Sequence, residues 1–82
     1  MDVSEAIREV LRKRGVSQRA LAAELGISQP SIQRVLKLGN PRVGTLNRYM
    51  GKLGYVVAVV PVGGRLPEGS IVVEQGGDGA EG

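Results

Sequence analysis

The chain has no cysteine, no histidine, no tryptophan and no phenylalanine. Without thiols there is no disulfide framework and no thiol nucleophile, and without imidazole or thiolate the usual transition-metal ligands are missing, so no cofactor is expected. Tyr49 and Tyr55 are the only aromatic residues, too few to build the stacking platforms on which single-stranded nucleic acid is held. Long apolar runs are absent as well: no stretch approaches the ~20 residues that cross a bilayer. The opening Met1-Asp2-Val3-Ser4-Glu5 is acidic and polar where a secretory leader is basic and then apolar. A cytoplasmic chain with no membrane segment is therefore expected. Catalysis would fall to Asp, Glu, Lys or Ser, and no pair of these stands in a constellation that suggests an active site, so an enzyme is not expected.

Eighty-two residues make one small domain whose core calls for extra burial from a partner, which predicts an oligomer. Charge is unevenly spread. The 11 Lys and Arg all lie within residues 1–65 against four acids (Asp2, Glu5, Glu9 and Glu24), a balance of +7; residues 66–82 hold Glu68, Glu74, Asp78 and Glu81, a balance of −4. A basic body followed by an acidic end suits a polyanionic partner, although basic residues in a run are also what a solvated face carries.

Four helices are legible. Asp2 followed by Glu5 is a capping-box start, and Val3, Ile7, Val10 and Leu11 form the apolar stripe of the first, which ends in Arg12-Lys13-Arg14-Gly15. That basic turn either complements the helix dipole or reaches a phosphate. Ser17 caps the second helix, in which Leu21, Ala22 and Leu25 share a face and Gly26 ends the run. Ser28 caps the third, with Pro30 in its first turn and Ile32, Val35 and Leu36 turned inward. Leu38-Gly39-Asn40-Pro41 is a loop, after which Val43, Leu46, Met50 and Leu53 recur at helical spacing, with Gly44 and Gly51 weakening the fourth helix. The third helix leaves Gln29, Ser31, Gln33, Arg34 and Lys37 facing outward, a set able to read base edges and touch phosphates.

Two short helices joined by Gly26-Ile27-Ser28, with Gln18, Ala22, Gly26, Gln29, Ser31, Ile32 and Val35 at their places, resemble the Cro/cI-type (XRE) helix-turn-helix regulators. The likeness runs from about Val3 to Leu53-Gly54-Tyr55. It implies a mainly α, lambda-repressor-like four-helix domain over residues 1–54 that binds double-stranded DNA. Its base-reading residues would be Gln29 (toward adenine), Arg34 (toward guanine), Gln33 and Ser31, and its DNA-backbone contacts Gln18, Arg19, Ser28, Lys37, Asn40 and Arg42. The alternative for the same fold is a protein-interaction module with little DNA affinity, in which Gln29, Gln33 and Arg34 are simply a solvated face.

Beyond Gly54 the periodicity changes. Tyr55-Val56-Val57-Ala58-Val59-Val60-Pro61-Val62 is apolar at both alternating positions and reads as a β-strand covered on both sides or paired with another chain, with Ser70-Ile71-Val72-Val73-Glu74 a short second strand candidate. Residues 55–74 are accordingly expected to form a dimerisation segment in which Tyr55, Val56, Val57, Val59 and Val60 meet a second copy, and residues 75–82 a disordered acidic tail. A strand after the fourth helix is similar to the HipB-like and HigA-like antitoxin repressors. That resemblance implies a homodimeric repressor on an inverted-repeat operator, located on the nucleoid when bound, with a cognate toxin as a further partner.

Overall fold

The computed structural model describes residues 1–73, and it consists of four α-helices: α1 (Val3–Arg14), α2 (Gln18–Leu25), α3 (Gln29–Leu38) and α4 (Val43–Lys52). Local chemistry sets where each begins. The Glu5 N–H donates to Asp2 Oδ1 while the Asp2 N–H donates to Glu5 Oε1, both at 2.8 Å, so two of the free donors at the start of α1 are satisfied reciprocally. Ser17 Oγ accepts from the Ala20 N–H at 3.0 Å, and Ser28 Oγ from the Ser31 N–H at 3.3 Å. Gly26 ends α2 in the left-handed region at φ 70°, where a side chain would be strained; this allows the chain to reverse within two residues and start α3. The fourth helix has no side-chain cap at Arg42 and carries both glycines, and it is held by packing instead.

Ile7, Val10, Leu21 and Ile32 are the fully enclosed centre, and Leu11, Ala22, Leu36, Tyr49, Met50 and Leu53 close around them. The contacts run α1 to α3, α2 to α3 and α2 to α4, so α3 is braced from two directions. One polar group joins this core: Ser4 Oγ donates to the Leu36 carbonyl at 2.5 Å, tying the start of α1 to the last turn of α3. That bond satisfies one of the carbonyls that every helix leaves free at its C-terminal end.

One expectation is corrected. Val43 does not share the inner face of α4; it is 70% exposed at the first helical residue, and the buried set is Leu46, Tyr49, Met50 and Leu53, with Leu46 half-buried. The aromatic ring of Tyr49 supplies the volume there, and burial raises its phenolic pKa above the ordinary tyrosine value.

The two expected strands form no ladder within the single chain: among the described residues, 55–61 run without turn, bend or helix, and 70–73 do not pair with them. Instead the chain doubles back along α4. The Tyr55 N–H donates to the Met50 carbonyl at 2.8 Å and the Val57 N–H to Asn47 Oδ1 at 3.4 Å, while Tyr55, Val57 and Ile71 pack against the helical core. Arg14 lies over the Tyr55 ring, 5.3 Å from its centroid, and its guanidinium crosses Gly54 so closely that a Cβ there would meet Nη2 at 3.0 Å. The segment is therefore covered on one side only. Val56, Val59 and Val60 remain exposed, because a strand needs a neighbour for its ladder and the described residues offer none. Glu74 and the expected disordered tail, residues 75–82, lie outside the described residues.

Candidate nucleic-acid interface

The outward side of α3 is assembled by its own periodicity. With Ile32 and Leu36 buried and Val35 half-buried against the core, the helix turns Gln33, Arg34 and Lys37 fully to solvent, and Gln29 and Ser31 stand half-exposed in its first turn. Ser31 is less free than sequence reasoning supposes. Its Oγ lies 2.9 Å from Ser28 Oγ, and Ser28 in turn accepts from the Ser31 N–H, so the two hydroxyls form a closed cap at the start of α3. Ser28 thus has a structural duty that alone accounts for a serine there.

The flanks supply charge. Gln18 and Arg19 begin α2, Gln18 half-buried and Arg19 exposed, and Asn40 and Arg42 lie exposed in the connection between α3 and α4. Among the described residues the one ion pair is Arg12 with Glu9, so no carboxylate neutralises Arg19, Arg34, Lys37 or Arg42. Their charge is available to an incoming polyanion. The basic turn ending α1 is different. Arg12 is hydrogen-bonded to Glu9, which raises the guanidinium pKa and lowers that of the carboxyl, and Arg14 rests on Tyr55. Two of the three cations in that turn already have partners within the fold, which favours the structural reading of the run over the phosphate-contacting one.

Sequence reasoning missed Ser4, Asn47 and Tyr49 as contributors, and the partner of Arg14. Ser4 was detectable, for it falls with Ile7 and Leu11 at i, i+3 and i+7 on the apolar face of α1, where a hydroxyl must find an acceptor. Asn47 and Arg14 left no such trace, since their partners, Val57 and Tyr55, are set by the return of the chain along α4. A surface groove lies between α2 and α4, lined by Glu24, Leu25, Asn47, Arg48, Gly51 and Lys52, and takes no residue from α3. Among the described residues no group of acidic side chains could hold a metal ion, and no helix is long and apolar enough to cross a membrane.

Neither the curated proteins nor the solved structures yield a match to this chain. The family model described as "Helix-turn-helix" matches residues 7–56, which takes in α1 from Ile7, all of α2, α3 and α4, and the first residues of the returning segment. With the capped turn between α2 and α3 and the uncompensated cations beside it, this match places the chain in the XRE-type helix-turn-helix family of DNA-binding regulators.

Proposed function

We propose that this protein is a sequence-specific repressor that binds double-stranded DNA as a homodimer, with α3 in the major groove. The observation that carries the reading is the outward face of α3. Gln29, Gln33 and Arg34 are long and polar and have no side-chain partner among the described residues, on a helix fixed at both ends by the Ser28 cap and the Ser4 bond to Leu36. A rigid helix presenting bidentate-capable side chains is what discrimination between base pairs demands. Gln29 and Arg34 read adenine and guanine, Gln33 and Ser31 adjust the register, and Gln18, Arg19, Ser28, Lys37, Asn40 and Arg42 hold the phosphate backbone. A role as the antitoxin of a toxin–antitoxin pair, in the cytoplasm and on the nucleoid, is the further reading that the resemblance supports; co-purification of a neighbouring toxin with the chain tests it.

Two substitutions separate readers from clamps. Arg34→Ala is expected to cost ~1–3 kcal/mol on the preferred site and to relax preference at one position of each half-site, measured by selection from a random duplex pool. Equal weakening on all sequences would reassign Arg34 to the backbone. Arg42→Ala is expected to weaken every duplex alike and to reduce the slope of log affinity against log salt by about one for each phosphate that the arginine had neutralised. An unchanged slope removes Arg42 from the backbone-holding set. The rival reading, an interaction module, is tested by random duplex at low salt: appreciable binding supports the DNA-binding face, and none favours the module.

A further inference from the structure

Between residues 2 and 54 only two large apolar side chains lie exposed, Leu38 at 74% and Val43 at 70%. They stand at either end of the connection 39–42. Leu38 is the last residue of α3 and belongs to the row Pro30, Arg34, Leu38, spaced i, i+4, i+8 and exposed throughout. Arg34 is thus flanked, one turn away on each side, by a side chain that can form no hydrogen bond. Leu38 is also held in place. The Gly39 N–H donates to the Val35 carbonyl at 3.1 Å and the Ser4 hydroxyl to the Leu36 carbonyl, so the last turn of α3 is tied to itself and to α1.

A single exposed leucine is ordinary on a protein surface, but this one continues the outward face of α3 and its neighbours narrow what can cover it. No acidic residue occurs between Glu24 and Glu68, and Leu38 stands among Arg34, Lys37, Asn40 and Arg42, which favours an anionic partner over an apolar protein surface. In the major groove of such a partner the base pairs offer one apolar group, the C5 methyl of thymine. We infer that Leu38 selects a thymine in each half-site by packing on that methyl. Four helical residues advance about 6 Å, so this thymine lies roughly two base-pair steps from the guanine read by Arg34. The contact rests on the major-groove reading of α3 proposed above and adds to it a further base and the residue that selects it.

Deoxyuridine differs from thymidine only in lacking the methyl, which makes it the probe. In a duplex selected by the full chain from a random pool, thymines are replaced one at a time by deoxyuridine and the affinity of each duplex is measured. One replacement in each half-site, roughly two base pairs from the position that Arg34→Ala relaxes, is expected to weaken the parent chain about fourfold, the equivalent of one buried methyl group. Leu38→Ala should bind the thymine duplex several-fold more weakly and show no further loss with uracil, so the two changes are not additive. Leu38→Met, which keeps an apolar tip, should keep the uracil penalty. Both variants should unfold at the parent's midpoint, because the side chain is largely in water already. A uracil penalty that persists in Leu38→Ala assigns the methyl to another residue and overturns the inference, as does a parent chain indifferent to every uracil. In either case an Arg34→Ala that still relaxes its own position leaves the reading by α3 in place. A pool from which no sequence is enriched removes that reading and the methyl contact with it.

Discussion

Ile32→Ala is expected to destabilise the domain by ~2–5 kcal/mol, the range for deleting a buried isoleucine's branches where neighbours relax incompletely. Ile32 is wholly enclosed, on the helix that both α1 and α2 grip, so the cavity would open at the centre of the packing rather than at its edge. Against a total stability of about 5–15 kcal/mol for domains of ordinary size, the loss is a large share, and the midpoint of thermal unfolding should fall by about 10 °C or more. DNA binding should fall with it, on every sequence alike, because α3 loses the seat that aims its outer face. The comparison with Arg34→Ala makes the result diagnostic: that variant should keep its unfolding midpoint and lose only preference. An Ile32→Ala midpoint within a degree or two of the parent would mean that the core closes over the gap and that α3 is seated mainly by its caps and the Ser4 bond.

Charging the exposed valines of the returning segment should abolish operator binding without unfolding the chain. Val56→Lys with Val60→Lys places lysine on two exposed positions of the segment expected to meet a second copy, where like charges would repel. Sedimentation should report a monomer, and operator affinity should fall toward the non-specific level, on the order of 10³-fold or more. The added positive charge would by itself strengthen attraction to DNA, so a loss against that trend isolates dimerisation as the cause. Removing the whole segment is a blunter instrument: truncation after Gly54 also strips Tyr55 and Val57 from the helical core and exposes Met50 and Leu53. A doubly charged variant that stays dimeric and binds its operator at full strength would move the dimer interface away from this segment and onto α4.

The proposed homodimer also sets operator geometry. A two-fold axis relating two copies would make the two α3 helices equivalent, and equivalent helices ask for an inverted repeat whose half-sites are about one helical turn, ~34–36 Å, apart.

Features that depend on neighbours within a turn or two of chain were legible in the residues alone. Asp2 with Glu5, Ser17, Ser28 and Gly26 cap or end helices through bonds spanning three or four residues, and the spacing of Ile32, Val35 and Leu36 decides which side of α3 faces inward, hence that Gln33, Arg34 and Lys37 face out. Those bonds and that periodicity form wherever the segment is placed, so they can be read without the fold. The remaining features exist only once distant segments meet. The Ser4 hydroxyl finds a carbonyl 32 residues away, Asn47 holds an amide on a segment that has doubled back, and Arg14 reaches Tyr55 across Gly54. Val43 has the right periodicity for the core and still lies outside it, because α4 carries it beyond the residues that could cover it. The expected strand has no partner within the chain for a related reason: valine content reports readiness to pair, whereas pairing requires a second edge. Folding back along α4 used the amides of Tyr55 and Val57 and left those of Val56, Ala58 and Val60 without partners among the described residues.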